Sequence, residues 1–248
     1  MTTITSSENP RFRELVGLAE SGRDRRQAGL ALLDGLHLLD SYQRRIGAPR
    51  QVVVSSAAQR RPEMVALLAS LPTVPCLELS DTLFRRLSPV ETPTGILAVI
   101  PIPASRPPPE NPEPCVLLED IQDPGNLGSI LRSTAASGIR QVYLSSQCAD
   151  LWSPKVLRAG MGAHFHLECF PGVELDGFAA SFPGRLIATD LQARQSIFQT
   201  DLSGLVGLIF GGAGVRAPSV FPRADLQQVF LTGVTGLNQP PGVRPKRA

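Results

Sequence analysis

LLEDIQDPGNLGSILRSTAASG, residues 117–138, is the stretch that decides the fold. An apolar run over residues 115–118 predicts a strand, which passes through a polar turn into a helix. Along that helix Ile130, Leu131 and Ala135 can share one face, which we predict to be the face turned toward the core. The stretch therefore predicts a strand–turn–helix unit of an α/β protein.

The turn of this unit is rich in polar and turn-forming residues. Asp123, Pro124, Gly125 and Asn126 lie where the carboxyl end of the strand meets the helix N-terminus. In open α/β sheets ligands bind in that crevice, and the free N–H groups of the helix favour anionic partners. Asn126 and Arg132 are six residues apart, so they need not share a helical face, but both can reach the same rim if Asn126 lies in the turn.

These features alone leave an ordinary alternative open. Asp, Pro, Gly and Asn commonly build α/β turns, whether or not a ligand binds there. The Gly-x-x-Gly of residues 125–128 is not a dinucleotide fingerprint, and the chain contains no phosphate-loop motif. Spacing by itself therefore does not establish a functional site.

The residue order of the stretch is more specific than its spacing. It resembles motif 1 of the SpoU (TrmH-like) RNA methyltransferases, which belong to the knotted SPOUT superfamily. The matching residues are Asp123, Pro124, Asn126, Gly128, Arg132, Ala135 and Gly138. The resemblance implies that Arg132 is the catalytic arginine and that Asn126 holds the surrounding turn or the substrate.

Composition sets limits on how RNA would be bound. The 248 residues suffice for two modest domains, and the net charge of +2 is too small to provide a global basic field. Phosphate contacts must therefore come from local clusters, mostly of arginine. Arginine suits bidentate phosphate recognition, but its abundance fits a compositional bias of the genome equally well.

The cysteines indicate neither a zinc site nor a disulfide framework, because no two of them form a Cys-x-x-Cys pair. They are Cys76, Cys115, Cys148 and Cys169. The chain also begins without a signal peptide and contains no long apolar run. We therefore expect no metal, no membrane span and a location in a reducing cytoplasm.

Residues 1–100 alternate strand and helix patterns, which predicts a compact α/β domain. The runs 33–39 and 92–99 resemble patterns of the family's N-terminal domain, whose fold is similar to ribosomal protein L30e and which binds the RNA substrate. The family more often carries Glu where Asp34 stands. His37 invites a catalytic interpretation, but nothing near it offers the partner that a general base requires, so we favour a surface histidine at a helix start.

Arginines crowd the beginning of the chain. We predict Arg11, Arg25 and Arg26 as contacts to RNA phosphates. The acids Glu14 and Asp24 are interleaved with them, which leaves a solvated helix face as the alternative interpretation.

Seven prolines between residues 101 and 114 predict a semi-rigid linker and mark the clearest boundary in the chain. The predicted organisation is an L30e-like substrate-binding domain at 1–100, the linker at 101–114 and the methyltransferase domain at 115–248. In the second domain Lys155 opens a run similar to a family pattern and is a further predicted RNA contact. His164 and His166 alternate as strand neighbours would, so they make no obvious metal pair.

Two further stretches resemble the remaining family motifs. The glycines after the apolar run 205–210 are similar to motif 2, which lines the methyl-donor pocket, and residues 234–238 are similar to motif 3. The cofactor-binding residues implied are Gly211, Gly212, Gly214, Phe230, Leu231 and Leu237, and Asn238 joins the implied catalytic residues. Ala213 stands where the family carries Glu, and Gly236 replaces the usual serine.

The C-terminal segment departs from the family pattern. Members of the family end in a helix that completes a deep trefoil knot and much of a dimer contact, whereas residues 239–247 contain three prolines that forbid a regular helix. The expected fold is therefore an N-terminal L30e-like domain followed by a SPOUT α/β-knot domain. A knot truncated at the C-terminus is an open alternative.

The resemblance implies S-adenosylmethionine-dependent methylation of a ribose 2′-hydroxyl in ribosomal or transfer RNA, performed by a homodimer without a metal. A guanidinium stays protonated near neutral pH, so Arg132 suits binding of a phosphate and stabilisation of an alkoxide better than it suits a base. Two alternatives remain at this point. One is an impaired family member that binds RNA without methyl transfer, motivated by Ala213, Gly236 and the proline-rich tail, and the other is an unrelated nucleotide-dependent α/β enzyme.

Overall fold

A computed structural model of the protein describes most of the chain as two compact units. The described residues are 2–88, 90, 93–190, 192–212 and 226–230. Unit 1 comprises the described residues up to Ser105 together with Asp123–Ala135 and Ala149–His166. Unit 2 comprises Arg106–Gln122, Ala136–Cys148 and the described residues from Leu167 onward.

Unit 1 is built on a five-stranded sheet. Its strands are β1 (Thr2–Ile4), β2 (Leu30–Asp34), β3 (Gln51–Ser55), β4 (Cys76–Leu79) and β5 (Ile96–Pro101). They lie in the order β1-β4-β3-β5-β2, in which β1, β4 and β3 run parallel and β5 runs antiparallel to both of its neighbours. The inner strands are buried on both faces, as their continuous apolar sequences predict.

Seven described helices belong to unit 1. They are α1 (Pro10–Glu20), α2 (Gly22–Ala28), α3 (Leu36–Arg45), α4 (Pro62–Ala69), α5 (Asp81–Leu87), α6 (Pro124–Ala136) and α7 (Pro154–Gly160). The side chain of Asn9 accepts a hydrogen bond from the N–H of Arg11 and so caps α1, with Pro10 in its first position. One apolar core joins α1 and α5 to the sheet, and a second joins α3 and α4 to Leu157 and Phe165.

Unit 2 contains a seven-stranded sheet in which every observed pairing is parallel. Its strands are β6 (Cys115–Glu119), β7 (Gln141–Leu144), β8 (Glu168–Pro171), β9 (Arg185–Thr189), β10 (Gln195–Ser196), β11 (Val206–Gly211) and β12 (Gln227–Phe230). The order is β10-β12-β9-β11-β6-β7-β8, and α8 (Leu175–Ser181) follows β8 in the chain. From β6 the chain fills one side of the sheet and then returns to fill the other, so the strand order switches between β6 and β11.

Two details of the second half differ from the sequence prediction. The buried face of α6 carries Leu127, Gly128, Leu131 and Thr134, and the flanking positions 130 and 135 are half-buried at its edges. The segment Ala163–Phe165 is a 3₁₀ turn and not a strand, because Met161 and Gly162 both adopt left-handed backbone angles that break the extended path. β1, α2, β8 and α8 were not predicted from the sequence, since each is short and weakly patterned.

The described helices are all too short or too polar to cross a membrane. No group of three or more His, Cys, Asp or Glu side chains within the described residues is arranged to hold a metal ion. The four cysteines, all within the described residues, form no disulfide. The proline-rich linker was predicted at 101–114. Its first residue, Pro101, ends β5, and residues 102–114 form neither helix nor strand.

Candidate active site

The switch point of the seven-stranded sheet lies between the carboxyl ends of β6 and β11. Gly211 pairs with Glu119 in the register of these strands, and the N–H of Gly212 donates to the carbonyl of Glu119 at 2.8 Å. A Cβ atom on Gly212 would lie 2.0 Å from the carbonyl oxygen of Asp120. The two backbones therefore approach so closely that only glycine fits after β11.

The loop that follows β6 is held by the loop that follows β7. Asp120 has a φ of 55°, a left-handed conformation that is uncommon outside glycine, and its N–H donates to the hydroxyl of Ser145 at 3.2 Å. The N–H of Ile121 donates to the thiol sulfur of Cys148 at 3.4 Å. Burial raises the pKa of the Glu119 carboxyl at the end of the strand. The carboxyl end of β6 is thus fixed by polar contacts on the side of β7.

The start of α6 in unit 1 is capped by Asp123. Its carboxylate accepts a hydrogen bond from the N–H of Asn126 at 2.7 Å, and its carbonyl accepts from the N–H of Leu127 at 3.0 Å. Pro124, whose missing N–H costs nothing in a first turn, begins the helix. The motif-1 residues Asp123 and Pro124 therefore act locally as a helix start, and they leave the Asn126 side chain exposed.

Arg132 is exposed on α6, one turn beyond the buried Gly128. Asn126 lies inside the first turn of the same helix. Six residues correspond to a rotation of about 120° and a rise of about 9 Å, so the two side chains do not project in the same direction from the helix. Both side chains are therefore exposed on α6, but they lie on different faces of the helix.

Close packing against α7 fixes the position of α6. A Cβ atom on Gly128 would lie 2.4 Å from the Cβ of Ala159 and 2.7 Å from the nitrogen of Gly160. Gly128 and Arg132 are four residues apart, one turn of the helix. The glycine of motif 1 therefore serves the approach of two helices and sets where the arginine of the same motif stands.

The predicted RNA contacts differ in what the structure offers. Arg11, Arg26 and Lys155 are exposed, and Arg11 borders a groove of about 1000 Å³ whose charged walls include Arg50 and Glu14. Arg25 requires a correction. It is only 4% exposed, so its guanidinium cannot meet a phosphate on the surface.

Arg25 instead links two parts of unit 1. Its Nε donates to the carboxylate of Asp150 at 2.9 Å, and its Nη1 donates to the carbonyl of Leu18 at 2.7 Å. Desolvation of a guanidinium is costly unless it is paired and hydrogen-bonded, and these contacts satisfy that requirement. The sequence did not reveal this, because 125 residues separate the partners.

A second polar contact was also missed from the sequence. Asp34 accepts hydrogen bonds from the hydroxyl of Ser88 at 2.9 Å and from Nη1 of Arg158 at 3.3 Å. Burial raises the pKa of Asp34, and the hydroxyl and the guanidinium oppose that shift. The family pattern around Asp34 was the only feature of the sequence that could have drawn attention to this contact. His37 is exposed at the start of α3, as expected.

His164 is buried and belongs to no group of three or more possible metal-ligating side chains among the described residues. Its Nε2 lies 3.0 Å from the carbonyl of Leu151, and within the described part of the chain its Nδ1 has no hydrogen-bond partner. Burial lowers the pKa of His164 to about 4.

Several predicted site residues lie outside the described residues. They are Gly214, Leu231, Leu237 and Asn238, together with the two departures Ala213 and Gly236 and the tail 239–247. The predicted truncation of the knot concerns the same C-terminal residues, so it too lies outside the described residues. Phe230 ends β12, which pairs with β9 and β10.

Comparison with known proteins places these features in a family. The model of the SpoU rRNA methylase family matches residues 113–217, and the model of the MRM3-like substrate binding domain matches residues 9–98. An uncharacterized tRNA/rRNA methyltransferase of Synechocystis sp. is 31% identical over 224 residues, covering 88% of this chain and 81% of that protein. The chain belongs to the SpoU RNA methyltransferase family.

Solved structures agree with the family. A crystal structure of an RNA 2′-O ribose methyltransferase has a TM-score of 0.75 and 25% identity, covering 94% of this chain and 91% of that one. The SpoU methyltransferase AviRb from Streptomyces viridochromogenes, solved with the cofactor AdoMet, has the same TM-score at 22% identity and covers 94% and 93%. The vertebrate mitochondrial rRNA methyltransferases 3 are longer, and the alignments span 42% and 40% of the zebrafish and mouse proteins.

The predicted family, α/β fold class and methyltransferase activity are confirmed. The alternative of an unrelated nucleotide-dependent enzyme is excluded by family membership. The alternative of a relic that binds RNA without methyl transfer is not favoured, because the matched relatives are methyltransferases.

Proposed function

We propose that this SpoU family methyltransferase transfers the methyl group of S-adenosylmethionine to the 2′-hydroxyl of a ribose in ribosomal RNA. The observation that supports this most is α6, which begins at a capped Asp123 and exposes both Asn126 and Arg132. Transfer RNA is the second candidate substrate, since the Synechocystis relative is described as a tRNA/rRNA methyltransferase.

The switch point fits the methyl donor. In open α/β sheets ligands bind at the switch point beyond the carboxyl ends of the strands, and Gly212 lies there, where its missing Cβ lets the main chain after β11 approach Asp120. We assign Gly211 and Gly212 to donor binding, with Gly214, Phe230, Leu231 and Leu237 completing the set implied by the family motifs. The bound donor supplies an activated methyl group on a sulfonium.

Arg132 acts on the RNA side of the reaction. Its guanidinium carries a fixed positive charge and several N–H donors, so it binds the phosphate beside the target ribose and stabilises negative charge that develops on the 2′-oxygen. Asn126 orients the substrate from the first turn of the same helix, and Asn238 is the third proposed catalytic residue. The chemistry requires alignment of donor and acceptor more than it requires a strong base.

Arg11, Arg26 and Lys155 are the proposed phosphate contacts that place the RNA. We further propose that the protein acts as a cytoplasmic homodimer with a substrate-binding domain at 1–100, a linker at 101–114 and a methyltransferase domain at 115–248. The match of a substrate-binding family model to residues 9–98 supports that division. Light scattering after size-exclusion chromatography tests the dimer, and a mass equal to one chain of 26.6 kDa contradicts it.

The test of the function separates donor binding from catalysis. Calorimetric titration with S-adenosylhomocysteine should give a micromolar dissociation constant, which corresponds to about 8 kcal/mol. Gly212→Ala should abolish that heat, because its Cβ has no space beside Asp120. Absence of heat with the unaltered protein would show that the donor pocket is lost. It would then favour the alternative of an impaired family member that binds RNA without methyl transfer.

Transfer of a tritiated methyl group to ribosomal RNA then tests catalysis. Arg132→Ala should lower the rate by two or more orders of magnitude, as loss of a charge-stabilising donor does, with the affinity for S-adenosylhomocysteine unchanged. Arg44→Ala is the matched control, since Arg44 is 79% exposed and pairs with Asp40 on the surface. Equal rates for both variants would remove Arg132 from the mechanism.

A further inference from the structure

Unit 1 contains residues that both family models match. The substrate-binding model covers residues 9–98, and the methylase model covers the segments 123–135 and 149–166, which pack within the same unit. The proposed catalytic Arg132 is on the first of these segments. Contacts inside unit 1 therefore join the part of the chain that recognises RNA to the helix that acts on it.

A buried carboxylate makes one of these contacts. The side chain of Asp34 at the end of β2 is 1% exposed, whereas the Arg158 side chain on α7 is 43% exposed. Nη1 of Arg158 donates to Oδ2 of Asp34, and Ser88 donates to the same oxygen. Among the described residues the second oxygen of Asp34 has no hydrogen-bond partner. A buried acid with one unsatisfied oxygen costs stability, so stability alone does not account for this carboxylate.

Apolar contacts continue from the same segment. Leu157, next to Arg158, belongs to a buried cluster with Leu39, and the ring of Phe165 meets the ring of Tyr42 edge-on at 5.3 Å. Because α7 is held on β2 and α3, it has little freedom to slide.

The position of α7 determines the position of α6. Ala159 and Gly160 directly follow Arg158, and they leave no room for a side chain at Gly128 of α6. Arg132 lies one turn further along α6. Asp34 thus contacts Arg158 on α7, and the residues that follow Arg158 contact Gly128 on α6, the helix that carries Arg132.

We propose that Asp34 and Arg158 are positioning residues for methyl transfer, which hold α7 and so place α6 with Arg132 at the bound ribose. This inference rests on the proposed function of Arg132. Asp34 touches neither substrate nor donor in this role. Its carboxylate acts through Arg158 on α7.

The test compares Asp34→Asn with the conservative Asp34→Glu. The amide keeps the shape but loses the charge that holds Arg158. We expect kcat per donor-binding site to fall on the order of 10- to 100-fold, as misplacement of a catalytic group by about 1 Å does. KM for RNA and the dissociation constant of S-adenosylhomocysteine should change less than about twofold, and Asp34→Glu should restore most of kcat because it keeps the charge.

Hydrogen exchange supplies a readout that does not depend on activity. Amides of residues 125–136 should exchange faster in Asp34→Asn than in the unaltered protein. Asp40→Asn is the matched control, because it removes the charge of an exposed acid paired with Arg44 and should change neither kcat nor exchange. The double variant Asp34→Asn/Arg158→Gln should be no slower than Asp34→Asn alone, since both substitutions break one interaction.

The outcomes distinguish the positioning role of Asp34 from the proposed methyltransferase function. Unchanged kcat and unchanged exchange in α6 would overturn the positioning role while leaving the methyltransferase assignment intact. A loss of activity that matches a loss of donor-binding sites, with kcat per site unchanged, would also overturn it, because that is the result of simple unfolding. If the unaltered protein transfers no methyl group, the proposed function fails, and exchange in α6 alone then decides whether Asp34 positions the helix.

Discussion

At the scale of single residues, burial decides which charged groups can meet a ligand. Arg25 and Arg26 are neighbours in the sequence, yet one is buried on Asp150 and the other is exposed. The same principle applies to His164, whose ring is enclosed by Leu151, Gly160 and Trp152. A charge on that imidazole would have to be accommodated without water.

The pH dependence of stability should reveal His164. Burial lowers its pKa to about 4 from 6.5, so the folded state favours the neutral ring. Stability is therefore fully present above the unfolded value near 6.5 and is lost as the pH falls toward 4, because the unfolded chain binds the proton first. The loss from this group is on the order of 3 kcal/mol.

Urea denaturation of the unaltered protein and of His164→Gln, each at pH 7.5 and pH 4.5, measures this term. The glutamine keeps a nitrogen donor near the carbonyl of Leu151 but does not titrate. The unaltered protein should lose more free energy of unfolding on acidification than the variant does. Equal losses would show that the ring is protonated equally in both states.

At the scale of elements, helix packing and not turn conformation accounts for Gly128. A Cβ on Gly128 of α6 would meet Ala159, whereas a Cβ on Gly177 of α8 would have no atom within 4 Å. The glycine of motif 1 is thus a packing position. The buried face of α6 differs from the face predicted from the sequence. Residues 127, 131 and 134, which are spaced as one helical stripe, are the ones buried against neighbouring elements.

A pair of Gly→Ala substitutions distinguishes these two positions. Gly128→Ala should reduce the free energy of unfolding by about 1–3 kcal/mol, the usual effect of overpacking, and should lower kcat by displacing α6. Gly177→Ala should leave kcat unchanged and raise stability by up to about 1 kcal/mol, since alanine favours helix. Urea denaturation measures both effects. A stabilising Gly128→Ala would mean that α6 and α7 are not in contact.

At the scale of the whole molecule, charge is distributed and not concentrated. The net charge of +2 provides no long-range attraction, so RNA affinity depends on separate exposed cations. Each phosphate contact releases counterions and adds about 0.7 to the salt dependence for a single strand.

The triple variant Arg11→Gln/Arg26→Gln/Lys155→Gln tests this description. The slope of log affinity against log salt concentration should become shallower by about 2, the sum of three contacts. Affinity for S-adenosylhomocysteine should not change. The double variant Arg44→Gln/Arg45→Gln removes exposed charge from α3 and should leave the slope as it was. An equal change in both variants would indicate general attraction and no specific path for the RNA.

The sequence by itself determined the family, the α/β class and the identity of the motif-1 residues, because these depend on local patterns within about twenty positions. It also predicted the long apolar strands of both sheets, because strands buried on both faces have nearly continuous apolar sequences. Short elements such as β1 and α2 escaped prediction, because pairing with the distant β4 stabilises β1 and packing against α1 and β2 stabilises α2.

Only the tertiary structure decided which of these residues meet. Arg25 with Asp150 and Asp34 with Arg158 join positions that are 125 and 124 residues apart, and the close approach at Gly212 exists only because β11 lies beside β6. The physical reason is that burial and hydrogen bonding belong to pairs of groups. A sequence shows each group singly, and folding selects its partner and thereby its role.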